Sequence, residues 1–223
     1  MAFFGIFKRS AKELGDIRCL VVTALLIALD LALKALMPLK ITEDLKISFA
    51  FIAVAAIGML YGPTVCALAC VVTDVVGFFI NNSTGGAFNP LFTLIEVTGG
   101  VLYGLFLYGF NPVKFDTESP RAFFKSAAGN LVAVLRITLA KVSVAIVCNL
   151  IMTPMALTLT SQAAAGTITP ELFWAGYIER VFPVRIIKNA IEVPIHILIL
   201  MLTLFPVMVA YRSIFKKERI TNN

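Results

Sequence analysis

The residues able to do chemistry in this chain are charged side chains set inside apolar runs. Asp30 and Lys34 share one run, Asp74 and Glu96 occupy two more, Arg136 and Lys141 lie in a fourth, and Lys188 and Glu192 in a fifth. An ionisable group at the centre of a bilayer costs at least a few kcal/mol, so such groups face a protein interior or a cavity and find partners there. Asp30 with Lys34 and Lys188 with Glu192 are spaced four apart, so each pair can close on one helix face. Internal salt bridges that hold a bundle together account for these pairs as well as a ligand site does. Asp74 and Glu96 have no such local partner, which makes them the better candidates for contact with a ligand or another helix. His196, one turn from Glu192, is the only histidine. It reads as an interior histidine, with a proton relay as the alternative.

Other chemistries lack their residues. The chain has no phosphate-binding Gly-rich loop, no HExxH, and no Ser or Cys placed with a histidine as in a nucleophilic triad, so it is read as neither an ATPase nor another enzyme. Cys19, Cys66, Cys70 and Cys148 all fall in apolar segments and read as small buried hydrophobes; neither a disulfide framework nor a metal site is expected, and no cofactor.

The elements that position these charges follow from composition. Of 223 residues 59% are hydrophobic, mean hydropathy is +0.92, and 14% are charged, against about 25% in soluble domains. This is an all-α integral membrane protein: about six transmembrane helices in one compact bundle, with 1–223 a single domain. Apolar runs bounded by charge, Gly or Pro place spans at about 17–37, 47–61, 63–80, 90–109, 122–153 and 184–212. Outer connections follow at 38–46, 81–89 and 154–183; the last holds Trp174, is suited to act as a lid, and has a short helix start after Thr169-Pro170.

The net charge of +6 forms no stripe interleaved with aromatics, so nucleic acid is not a partner. The basic residues instead mark topology. Lys8, Arg9, Lys12 and Arg18, then Lys114, Arg121 and Lys125, then Arg212, Lys216, Lys217 and Arg219 fall on one side when both termini are cytoplasmic. The basic-then-apolar N-terminus has no clear cleavage site and reads as a retained first helix. With that orientation Asp30, Lys34, Asp74, Glu96, Lys188 and Glu192 lie in the outer half of the bundle, with Arg136 and Lys141 deeper, which suggests a pocket open to the outside. Two small-residue ladders, Ala24-LLI-Ala28-LDL-Ala32 and Gly100-VLY-Gly104, permit close helix approach, either within the bundle or to a partner protein.

Several stretches carry a resemblance: Leu45-KISFAFIAVAAIGMLYGP, Thr73-DVVGFF with the later GGAFNPLFTL and GGVLYGLFLY, and Arg185-IIKNAIEVPI. In order and spacing the chain resembles the folate-specific S components of energy-coupling factor (ECF) vitamin transporters, from about residue 20 to 110 and again from 183 to 205. Two departures bear on the ligand: Lys34-Ala35-Leu36 stands where many folate-type members have an arginine near the end of the first helix, and Asn89 stands where an aromatic is expected.

The resemblance implies a subunit in the cytoplasmic membrane of a prokaryote, embedded in lipid, that captures a vitamin outside. It implies assembly with a transmembrane coupling subunit and two cytoplasmic ATPase subunits, which alone bind ATP. For folate, the donor edge of the pterin would be accepted by Asp74 or Glu96, its ring would stack on Phe88 or Phe92 beside Asn89, and its glutamate tail would meet Arg185, Lys188 or Lys34, with Asn189 as a further polar contact. Ala24, Ala28 and Ala32 resemble the AxxxA motif with which such subunits engage the coupling protein. The competing readings are an S component for another vitamin or nucleobase-like precursor, and a stand-alone proton-coupled carrier using Asp74, Glu96 and His196.

Overall fold

A computed structural model describes residues 2–36, 39–40, 46–47, 49–81, 88–109, 120–166 and 169–221. Most of 38–46, residues 82–87 of the second expected outer connection, and Lys114 lie outside the described residues, as do the side chains of Arg121, Lys125, Lys216, Lys217 and Arg219. The described residues are helical almost throughout: α1 (Ala2–Glu13), α2 (Ile17–Leu36), α3 (Phe51–Tyr61), α4 (Pro63–Asn81), α5 (Pro90–Leu107), α6 (Pro120–Val144), α7 (Thr153–Ala165), α8 (Pro170–Ala175) and α9 (Phe182–Thr221). The one strand pairing among the described residues is a two-residue antiparallel one, Leu39 opposite Ile47 and Lys40 opposite Lys46.

Among the described residues four helical stretches are long and apolar enough to cross a membrane: Pro63–Ile80, Pro90–Leu107, Asn130–Ala165 and Arg185–Ile214. Their outward faces carry exposed Leu68, Leu94, Leu139, Leu198 and Leu202, surface that a soluble protein would bury but that hydrocarbon accepts. α2 has 20 residues but includes Arg18, Asp30 and Lys34. α3 has 11 residues, apolar on every side, and Ala53 through Met59 are all buried. A helix apolar all round belongs inside a bundle, and α3 packs against α2, α4, α5 and α9.

The two small-residue ladders have opposite surroundings. Gly100 and Gly104 are buried within the bundle: a Cβ at Gly100 would lie 2.6 Å from Cys70 Sγ, and one at Gly104 2.4 Å from Pro63 Cα. α4 and α5 can therefore touch backbone to backbone, and theirs is the most extensive helix contact. Ala24 and Ala28 are exposed on α2, and Ala32 is half-buried.

Residues 154–183, expected as a connection, are mostly helical. α6 runs through a π-helical stretch, Ala145–Met152, directly into α7, and Gly176–Val181 joins α8 to α9 in the same way. Pro154 has no N–H and its ring crowds the carbonyl four residues back. That carbonyl, of Leu150, accepts a hydrogen bond from Tyr177 Oη at 3.0 Å instead, so the break expected at Thr153-Pro154 becomes a local widening of one rod. α8 begins at Pro170, with Thr169 Oγ1 accepting from Leu172 N at 3.4 Å.

α1 is tied to the bundle through the α3–α4 turn. Gly62 takes φ +86, and a Cβ there would meet Ser10 Cβ at 2.9 Å. Ser10 Oγ occupies that space, donating to Tyr61 O at 2.6 Å and accepting from the otherwise unpaired first N–H groups of α4, Thr64 at 3.0 Å and Val65 at 3.2 Å.

Candidate ligand-binding site

Two cavities open toward the end of the bundle where α2 finishes and α9 begins. The first, about 450 Å³, is lined from α2, α3, α5, α6, the π-helical stretch and α9. The second, about 420 Å³, is lined mainly from α4 and α5, with Thr160 of α7. Lys34 and Glu96 line both, with Lys34 Nζ 3.7 Å from Glu96 Oε1 and 2.9 Å from Asp30 Oδ2. An ion-pair chain thus runs from a wholly buried carboxylate on α2 to a partly exposed one on α5, and Lys34 is its middle member.

The first cavity is rich in charge. Lys34, Lys141, Arg185 and Lys188 face it, against Asp30, Glu96 and Glu192. Lys188 Nζ lies 3.5 Å from Glu192 Oε1, so the four-residue spacing does close a pair. Among the described residues no carboxylate is within ion-pair distance of Lys141 or Arg185. Lys141 is buried, its ammonium 5.0 Å from the Phe51 ring centroid, and Phe51 in turn lies against His196 with centroids 4.1 Å apart. Cation–π contact substitutes in part for the missing counter-charge.

Polar atoms around this cavity are also left open. Asp30 Oδ1, Tyr103 Oη and both ring nitrogens of His196 are buried and have no hydrogen-bond partner among the described residues. Buried polar atoms are nearly always paired, so their convergence on one cavity marks a place for a ligand or water. Asn189, by contrast, is engaged: its Oδ1 accepts from Asn149 Nδ2 at 2.8 Å and its Nδ2 donates to Arg185 O at 2.8 Å.

The second cavity is aromatic and acidic. Asp74 accepts from the neutral Thr93 hydroxyl of α5, and among the described residues no cation is within ion-pair distance of it. Phe78, Phe88 and Phe92 line the walls, with Phe78 and Phe88 edge to face at 5.3 Å and 76°. Asn89 caps α5, accepting from Leu91 N at 3.0 Å, while its Nδ2 donates to Thr160 Oγ1 at 2.9 Å and ties α5 to α7.

The sequence candidates divide cleanly. Arg185, Lys188 and Asn189 line the first cavity, Asp74, Phe88, Asn89 and Phe92 the second, and Lys34 and Glu96 both. Phe51, Asn149, Phe78 and Thr93 were not among them. Asn149, a lone amide in the run VCNLIM, is visible in the sequence; Phe51 and Phe78, two of 18 phenylalanines, are not distinguishable there.

Comparison with known proteins gives a consistent result. A family described as "ECF transporter, substrate-specific component" matches residues 18–204. The folate transporter FolT of Clostridium novyi is 26% identical over 184 residues, 82% of this chain and 86% of that protein. The folate transporter FolT of Streptococcus mutans is 38% identical over 91 residues, 40% of this chain and 47% of that one. A solved structure of FolT bound with folic acid aligns with a TM-score of 0.57 at 27% identity, covering 83% of this chain and 92% of that chain.

Proposed function

The chain belongs to the substrate-specific components of ECF transporters, and from that premise we propose that it captures folate and is a transport subunit, not an enzyme. The observation that carries the reading is the division of chemistry between two cavities that share Lys34 and Glu96. Folate is a flat heterocycle with a hydrogen-bond donor edge, joined through a benzoyl spacer to a glutamate dianion. The aromatic cavity suits the first part: the pterin amino and ring N–H groups donate to the Asp74 carboxylate, and the ring lies among Phe78, Phe88 and Phe92. The cationic cavity suits the second, its Arg185 and Lys188 facing the tail carboxylates. Glu96 is an alternative acceptor for the donor edge. The similarity to the folate transporters named above supports the same ligand.

Uptake in this reading needs a transmembrane coupling subunit and two ATPases. Ala24 and Ala28, exposed on α2, offer the coupling subunit a flat face, and the distribution of basic residues supports a cytoplasmic-membrane protein with both termini inside and both cavities opening outward. Mass spectrometry of the small molecule retained through purification tests the proposal. Folate or a reduced folate is expected; a retained compound with no pterin would overturn it.

A further inference from the structure

A third cavity, about 680 Å³, lies at the other end of the bundle. The helices that line the first cavity through Phe51, Glu96 and His196 line this one through Leu60, Leu105 and Met208. Along α9, His196 and Met208 are twelve residues apart, about 18 Å, so the folate site and this cavity are separate. Its walls are apolar, formed by Ile6, Leu60, Leu105 and the buried Met208. Its polar lining is cationic and phenolic: Arg9 of α1, Arg212 of α9, Tyr108 and Tyr211. Among the described residues no carboxylate lines it or lies within ion-pair distance of either arginine; Glu13 Oε1 accepts from the lining Tyr108 Oη at 3.3 Å.

We propose that this cavity holds one anionic phospholipid, its phosphate between Arg9 and Arg212 and an acyl chain along Leu60, Leu105 and Met208. Two guanidinium groups are suited to a phosphate, each offering a planar fork of donors. The apolar wall below them is what a fatty chain occupies and a soluble anion does not. The helices that carry the two arginines also present exposed apolar side chains, Phe4 of α1 at 81% exposure and Val209 and Ile214 of α9, a surface suited to lipid. Lys8, Arg9, Lys12, Arg18 and Arg212 gather at this end; the positive-inside pattern assigns it to the cytoplasmic leaflet, where anionic lipid is concentrated. α1 does not drift on the surface, because Ser10 fastens it to the α3–α4 turn, and Arg9 is therefore held in place at the cavity mouth.

The test is native mass spectrometry of the full chain with phosphatidylglycerol, phosphatidylcholine or inorganic phosphate. Phosphatidylglycerol should be retained about tenfold or more over phosphatidylcholine. The double variant Arg9→Ala, Arg212→Ala should reduce that ratio to near one. Gly5→Trp is a second, charge-preserving variant: a Cβ at Gly5 meets nothing within 4 Å, so the indole can fill the cavity mouth, and the ratio should fall again. Both variants should still bind folate, which shows that they fold. Equal retention of the two lipids, retention unchanged in both variants, or displacement of the lipid by inorganic phosphate would overturn the proposal.

Discussion

The two cavities that share Lys34 and Glu96 are similar in volume, yet they treat their charges differently. In the first, cations outnumber anions and several groups already answer one another: Lys34 with Asp30, Lys188 with Glu192. In the second, Asp74 is the one ionisable group among the described residues not shared with the first, and it has a threonine hydroxyl for company. Internal pairing and ligand binding are thus separable roles. Paired residues resist removal because the partner is stranded, whereas Asp74 can be changed with little cost to the fold and a large cost to a ligand that uses it.

Lys34→Met should have the largest effect of all, and on both cavities. It strands the wholly buried Asp30, a loss on the order of 3 kcal/mol in stability, seen as a lower thermal midpoint in detergent together with weaker folate binding. Adding Asp30→Asn should recover most of the midpoint. A Lys34→Met protein as stable as the parent would mean that the ion-pair chain does not hold α2 in place.

Asp74→Asn comes next and should separate the two cavities. Losing a charged acceptor costs about 1.5–3 kcal/mol of binding, roughly ten- to hundredfold in Kd, with the thermal midpoint of the ligand-free protein nearly unchanged. Unaltered folate affinity would remove Asp74 from the site and leave Glu96 as the acceptor.

The smallest effect on binding is expected at Ala28→Trp. Ala28 is exposed and lines neither cavity, so folate affinity of the isolated protein should stay within about threefold, roughly 0.6 kcal/mol, while assembly with the coupling subunit and ATP-dependent uptake are lost. Normal uptake would exclude docking through this face; lost binding would mean that the helix packs internally after all.

Much of this was legible in the sequence, for physical reasons. Charges in apolar runs are conspicuous because the bilayer penalises them, and most of the candidate residues chosen that way line one cavity or the other. Ladder spacing was less informative: Gly100/Gly104 and Ala24/Ala28 have the same four-residue period, and nothing local says that the first faces α4 and the second faces outward. The helicity of 153–165 was hidden by Pro154, since a proline reads as a break unless the donor that replaces its missing bond, here Tyr177, is known to be near. Asn89 and Asn189 were recognisable as polar but not as already engaged in a cap and an interhelical bond.

The central claim is that one ligand spans both cavities, with its acidic tail in the cationic one. The most direct measurement is the affinity of the Lys188→Ala protein for folate and for a pterin lacking the glutamate, each relative to the parent. Folate binding should weaken by about tenfold while the tail-free pterin is held as before. Weakening of both by the same factor would contradict it.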